Sequence, residues 1–367
     1  MNNPFISVSD TDKTEYVTSR CSLNRAVMAK LPLEGIEDLP AGLQFKDIFS
    51  TPLVVAEIRR IARRYAIDLT GVPDTRLPYL VDEGLASSRD VRYRQMAQQV
   101  VKKFGTRLGL ILLTLRLGEK ENRLARPDWD DACWEYWANL DTIILTGGLA
   151  SSMLGRRFKE YIHNTFDMAG VKPYQIMLFD NGSYLGVMGL AQCLMRDNTS
   201  ALVLDLGHTG WKRALVRKGE GEIGGFTPME SLPSPCMLND LSDPDGRMKL
   251  ASELHRRIVN IIAASYRELS QSAELSDNIL ISIANYTHGG YLDTIRGGYS
   301  KLSLLGNNYA RVLEEELSSE LHREIAVSLV HDGTATALYF SDVDNAACIT
   351  LGTGFGIGFP EIRINQE

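Results

Sequence analysis

Two stretches of this chain run an apolar strand into a glycine–threonine turn. One is "VLDLGHTG", with Asp205, Gly207 and Thr209; the other is "CITLGTGFG", with Gly352, Thr353 and Gly354. Glycine lets backbone N–H groups converge on an anion with no Cβ in the way, and a threonine hydroxyl adds a donor. Two such turns facing each other would clamp a triphosphate; either alone reads equally as a plain β-turn. Carboxylates stand beside them. Asp205 ends the strand that enters the first turn, and Asp332 ends another strand in "LVHDGTATAL". A carboxylate so placed can take a proton from an attacking hydroxyl or orient a hydrated Mg²⁺. By itself Asp332 would read as a helix N-cap.

The familiar phosphate loops are excluded. "GTGFGIGFPEIRINQE" lacks G-x-G-x-x-G spacing, Pro360 interrupts it, and no GxxxxGK[ST] occurs anywhere.

The elements that would hold these residues follow from apolar periodicity. "TIIL" is a short strand running into Gly147-Gly148, with a helix opening after it, and "IMLFDN" and "GVMGLAQCLM" are a further strand and helix. "ALVLDLGHTGWKRALV" reads as a β-hairpin. "RMKLASELHRRIVNIIAASYREL" is an amphipathic helix, "NILISI" a strand, "YARVLEEELSSELH" a helix, "IAVSLVHDG" a strand, and "AACITL" the final strand. Strands alternating with helices imply an α/β protein. "DVRYRQMAQQVVKKFGTRLGLILLTLRLG" reads as one long buried helix. Its greasiest part, Leu108 to Leu115, is too short to span a bilayer.

Composition narrows the function classes. The chain has 367 residues and a net charge of −7, which argues against nucleic acid or an anionic membrane as the main partner. Arg59, Arg60, Arg63 and Arg64 line one side of "PLVVAEIRRIARRYAI" and read as a solvated helix face. The five cysteines (Cys21, Cys133, Cys193, Cys236, Cys348) show no zinc-ligand spacing and read as reduced thiols. The start "MNNPFISVSDTDK" has no signal-peptide pattern, so a cytoplasmic protein is expected.

Taken together, these segments resemble the sugar kinase/actin superfamily, in particular its ROK-type sugar kinases. "ALVLDLGHTGWKRALV" resembles the first phosphate motif, "ISIANYTHGGYLD" the family's strand ending in a T-P-G-x-V-D type loop, and "LVHDGTATAL" the segment with the catalytic aspartate. "AACITLGTGFGIGF" resembles the second phosphate motif, "TIILTGGLA" the adenosine motif, and "NGSYLGVMGLAQCLM" the closing helix. The order differs from the family's, and moving residues 1 to about 197 behind residue 367 restores it. The resemblance therefore implies two actin-like ATPase lobes of mixed sheets flanked by helices, circularly permuted and joined at the short polar "MRDNTS". The expected lobes are 1–197 with 346–367, carrying adenosine and the second phosphate motif, and 198–345, carrying the first phosphate motif and the catalytic aspartate.

The same resemblance implies an ATP-dependent phosphotransferase acting on a hydroxyl of a sugar or sugar-like polyol. Asp332 would be the general base, and Gly207, Thr209, Gly352, Thr353 and Gly354 the phosphate donors. Asp205 would orient Mg²⁺, and Gly147 and Gly148 would pass close to the adenosine. Asn285, His331, Asn307 and Asn308 are nominated for the acceptor pocket, although Asn307 and Asn308, in "LGNNYA" before a helix, read first as turn residues. Alternation along a strand sends His331 and Asp332 to opposite faces as long as the strand lasts. Departures are visible: His331 replaces the family's asparagine, His208 replaces a glycine, and the sugar loop and zinc cluster are missing from residues 359–367 and 1–50. Zinc is therefore not expected. A catalytically degenerate sugar or nucleotide sensor is the alternative, and a phosphatase or ATPase using water is a third reading. A homodimer is implied by the resemblance alone.

Overall fold

Alternating apolar residues in "TSALVLDL" and "GWKRALVRK" produce two long antiparallel strands, Thr199–Leu206 and Gly210–Lys218. The computed structural model describes residues 2–364 except 10–12, 37–38, 87–89, 180–181, 236–243 and 296. Cys236 lies outside the described residues; the other four cysteines are free thiols. The chain divides into two units. Unit 1 is Met1–Pro4, Arg20–Ser183 and Asn345–Ile357; unit 2 is Phe5–Ser19, Tyr184–Asp344 and Gly358–Glu367.

In unit 2 the hairpin is the root of a mixed sheet. Asn278–Ile283 pairs parallel with Thr199–Leu206, and Ala326–His331 pairs parallel with Asn278–Ile283. Ile223–Pro228 and Leu232–Pro233 both pair antiparallel with Gly210–Lys218. The parallel strands read as near-continuous apolar runs because helices cover the sheet. The helix Pro244–Ser270 lays Leu254, Ile258, Ile262 and Tyr266 into the core against Leu202, Leu204 and Ile281. The helix Leu185–Leu194 packs on the helix Asp332–Leu338 and on Asn278–Ile283. Its last turn is held by a buried lysine: Lys218 Nζ donates to the carbonyls of Gln192 and Met195, each at 2.9 Å, where a cation is favoured at a helix C-terminus. Residues 5–19, 184–197 and 358–367, which the sequence reading assigned to the other lobe, therefore cluster with this unit.

Unit 1 holds a four-stranded sheet in the order Phe355–Gly358, Ala346–Leu351, Thr142–Thr146, Gln175–Leu178. Ala346–Leu351 lies parallel to Thr142–Thr146, with Ala346 opposite Thr142 and Thr350 opposite Thr146. Thr142–Thr146 lies parallel to Gln175–Leu178. The first two strands in that order are joined by only three residues, which antiparallel neighbours alone allow. All five residues of Thr142–Thr146 are buried. The 27-residue helix Val91–Leu117 packs along Ser152–Ala169. Its stretch Leu108 to Leu115 is interior, and no helix among the described residues is long and apolar enough to cross a membrane.

Within residues 1–50 there are two small antiparallel pairs, Ile6–Val8 with Glu15–Val17 and Val27–Met28 with Leu43–Gln44. The arginine face of the helix Thr51–Arg64 is tied locally: Arg59 donates to Asp74 and to the Val72 carbonyl, and Arg60 to Glu57. "MRDNTS" is a surface turn, with Arg196, Asp197 and Asn198 exposed between the helix Leu185–Leu194 and the strand Thr199–Leu206.

Candidate functional site in unit 2 and its counterpart in unit 1

The register of the hairpin in unit 2 places Lys212 directly opposite Asp205, and the parallel register places Ser282 beside Asp205. Both neighbours use it. Lys212 Nζ donates to Asp205 Oδ2 at 2.9 Å and Ser282 Oγ to Asp205 Oδ1 at 2.7 Å. The pair is part-buried, with side-chain exposures of 31% for Lys212 and 13% for Asp205. The Asp205 carboxylate raises the Lys212 ammonium above its usual range against the opposing effect of burial; Tyr184 and Asp332 add to the pull. Lys212 is thus a fixed cation flanked by two carboxylates.

The turn at residues 207–209 is anchored from beneath. Gly207 N donates to the Gly210 carbonyl at 3.1 Å. The fully buried Tyr299 donates its hydroxyl to the Gly207 carbonyl at 2.8 Å and accepts Trp211 Nε1 at 2.7 Å. Thr209 is exposed at the tip.

Asp332 begins the helix Asp332–Leu338 where the strand Ala326–His331 stops. Because the strand ends there, strand alternation no longer separates the two residues, and His331 Nε2 approaches Asp332 Oδ1 at 3.2 Å. Gly333 N donates to the same oxygen at 2.7 Å, and Oδ2 takes no hydrogen bond among the described residues. His331 Nδ1 accepts Thr334 N at 3.3 Å, so the ring proton belongs on Nε2, the nitrogen on the side of Asp332. Burial lowers the His331 imidazole below its usual range, with Asp332 opposing. The ring is neutral at neutral pH, stacked on Tyr286 at 4.4 Å.

Of the other residues nominated for an acceptor pocket, Asn308 caps its own helix. Its Oδ1 accepts Arg311 N at 3.2 Å and its Nδ2 donates to the Gly289 carbonyl at 2.7 Å. Asn285 is buried and donates to the Asp293 carbonyl at 3.2 Å. Asn307 is exposed. Only His331 and Asn308 of the four line the cavity of unit 2, about 300 Å³ in volume.

In unit 1 the other nominated residues meet at one end of the sheet. Gly147 has φ +90°, and a Cβ there would stand 2.5 Å from the Leu351 carbonyl oxygen, so both backbone conformation and close approach demand glycine. Gly148 has open space around it and borders a small cleft with Asp82 and Ser151. Gly352 N donates to the Gly354 carbonyl at 3.1 Å, and the Gly352 carbonyl accepts Thr51 N at 2.8 Å. Asn24 reads the next residue at both ends: Oδ1 accepts Phe355 N at 2.8 Å and Nδ2 donates to Phe355 O at 2.9 Å. A Cβ on Gly354 would sit 2.6 Å from Asn24 Oδ1, so the glycine makes room for that clamp. Thr353 is exposed at the tip.

For a metal, the fit is specific. No group of three or more His, Cys, Asp or Glu side chains among the described residues is arranged to hold one. Each Asp205 oxygen already has a protein donor, so direct ligation by Asp205 does not fit. A hydrated Mg²⁺ carried by nucleotide phosphates would fit, with Asp205 reaching it through water.

Lys212, Ser282, Tyr299 and Asn24 were not singled out from the sequence. The signal for Lys212 was present: it lies seven residues after Asp205 across a tight turn, at the position that faces it.

No family model matches the chain, and no curated protein matches it. Among solved structures it is similar to the ethanolamine utilization protein EutJ from Carboxydothermus hydrogenoformans, with 14% identity over 63% of this chain and 75% of that one and a TM-score of 0.32. It is also similar to the Ppx/GppA phosphatase of Aquifex aeolicus, with 11% identity over 68% and 83% and a TM-score of 0.29. A third is an exopolyphosphatase-like protein, with 12% identity over 71% and 86% and a TM-score of 0.25. At TM-scores of this size none of the three bears on fold or chemistry, which rest on the chain's own residues.

Proposed function

We propose that this protein is an ATP-dependent phosphotransferase of the actin-like ATPase kind, with Asp332 as its general base and a hydroxyl of a sugar-like polyol as acceptor. The observation that carries the reading is the cluster in unit 2: a lysine fixed opposite Asp205, beside a glycine turn, within the field of Asp332. Such a set serves phosphoryl transfer, in which positioning and charge stabilisation do most of the work.

In this reading the acceptor hydroxyl donates to Asp332 Oδ2. As its oxygen bonds to the γ-phosphorus, the proton passes to Asp332 and the bond to the β,γ-bridging oxygen breaks. ADP leaves with that electron pair. The Gly333 N–H holds Asp332 through Oδ1 and leaves Oδ2 for the acceptor. Lys212 and the N–H groups of the turn at 207–209 offset charge on the phosphoryl oxygens. Mg²⁺ would neutralise further phosphate charge when bound. Gly352, Thr353 and Gly354 are assigned a second phosphate-facing turn, and Gly147 and Gly148 the adenosine.

The same proposal takes the chain as circularly permuted. In its support, the C-terminal strand Ala346–Leu351 pairs with Thr142–Thr146, two hundred residues earlier in the chain.

A second reading has water as acceptor. It is favoured by Asn285, which is tied to a loop carbonyl, and by Asn308, which caps its own helix. ADP release from ATP, measured over a panel of sugars and polyols, separates the two. Release that rises at least about tenfold with one acceptor supports the kinase; equal release with and without acceptors supports hydrolysis. ATP binding with no release at all would leave only a nucleotide sensor.

A further inference from the structure

The cavity of unit 2 has a chemistry that the phosphotransferase reading does not use. It lies between the strand Glu15–Val17, the turn after Thr287, the first turn of the helix Tyr309–Leu321 and the outer edge of Ala326–His331. Asp332 is not among its lining residues.

Its polar groups are unevenly satisfied. The Thr287 hydroxyl is buried without a hydrogen-bond partner among the described residues, in a residue only 7% exposed. Buried hydroxyls are nearly always bonded, so an orphan on a cavity wall points to an occupant. Arg311, exposed at the helix start, has a guanidinium with neither ion pair nor hydrogen bond among the described residues. Glu15 spends one carboxylate oxygen on Arg363 N at 2.7 Å, and Glu314 one on Val327 N at 3.0 Å. The second oxygen of each has no hydrogen bond among the described residues. On one side Tyr16 stacks on His288 at 4.6 Å, a flat face for an apolar group or a cation.

The charge pattern selects among ligands. Two carboxylates and one guanidinium line the cavity, and no lysine does. A phosphate or other dianion would face both carboxylates. A neutral sugar would leave all three charges unpaired. A molecule with one cationic and one anionic end satisfies both signs, since charge-assisted hydrogen bonds are the strong ones.

We infer that this cavity binds a small zwitterion of the α-amino acid class. The ammonium lies at Glu15 and Glu314, the carboxylate at Arg311, and the side chain along Tyr16 and His288. The Thr287 hydroxyl bonds to one of the polar ends. The inference goes beyond phosphoryl transfer and stands without it, because binding is read with no nucleotide present.

Calorimetry on the full chain tests it, using the common L-amino acids at millimolar concentration. Butyrate and butylamine serve as half-ligands and glucose as a neutral control. At least one amino acid should bind, about tenfold or more tighter than either half-ligand, with glucose not binding. Arg311→Gln and Glu314→Gln should each weaken that binding by about tenfold or more, and Thr287→Val by less. The Glu314→Gln side chain keeps an oxygen for Val327 N. Arg311 is exposed, so Arg311→Gln decides alone should the other variant unfold. No binding by any amino acid, equal binding of a half-ligand or glucose, or unchanged affinity in Arg311→Gln would overturn the assignment.

Discussion

The two units carry the same strand arrangement and differ in what one position holds. Each has a strand that turns through a short glycine–threonine loop into a hairpin, with two further strands added parallel on its other side. In unit 2 the second-last residue of that first strand is Asp205, bonded to Ser282 directly across the parallel register. In unit 1 it is Thr350, bonded to Thr146 directly across the same kind of register at 2.9 Å. Across the hairpin, Asp205 faces Lys212, whereas Thr350 lies against Gly356, which has no side chain. One backbone plan thus presents a fixed ion pair in one unit and a pair of neutral hydroxyls in the other. Where two units share a topology, chemistry is assigned by side chains at matched positions, not by topology.

Removing the cation that unit 1 lacks should have the largest effect within this comparison. Lys212→Met is expected to lower turnover about 10²–10³-fold in ADP-release assays, the scale for deleting one electrostatic stabiliser of a transition state. Making unit 2 resemble unit 1 with Asp205→Thr keeps the lysine but frees it, so turnover should fall by about tenfold. The matched change Thr350→Val should leave turnover within about twofold and cost about 1 kcal/mol in urea denaturation. Equal losses in turnover from Asp205→Thr and Thr350→Val would erase the distinction between the units.

The turns sharpen the contrast further. Unit 2 anchors its turn with a buried tyrosine hydroxyl, unit 1 with an asparagine from a distant segment. Asn24→Ala leaves the Phe355 N–H without its partner and should destabilise by about 1–3 kcal/mol in chemical denaturation. The smallest effect belongs to His331. Burial lowers its pKa, so the unfolded chain binds the proton more readily. Its contribution to stability is complete above the unfolded value near ~6.5 and is lost as pH falls from there toward the lower folded value. Between about pH 8 and about pH 5 the Tm of the wild type should fall further than that of His331→Gln.

Much of this was legible in the residues, because strands and glycine turns announce themselves by local pattern. The α/β class, the hairpin at "VLDLGHTGWKRALV" and the long buried helix follow from periodicity alone. Asp205 and Asp332 were visible as carboxylates at strand ends. What stayed hidden depended on distance or on register. Asn24 and Phe355 are 331 residues apart, and nothing local in "SLNRAV" marks a clamp. Lys212 required counting a register across a turn. The contact of His331 with Asp332 was obscured because it depends on where one strand stops. The closing helix was assigned to the other lobe because its burial partners, the helix Asp332–Leu338 and the strand Asn278–Ile283, lie far along the chain.

The central claim is that Asp332 activates an oxygen nucleophile against a nucleotide phosphate. The direct measurement is ADP release from ATP by wild type and Asp332→Asn, with ATP affinity determined on the same samples. Turnover in the wild type that falls by about 10²-fold or more in the variant, at unchanged ATP affinity, is the predicted result. A wild type that never turns over ATP, or a variant that does so undiminished, would contradict it.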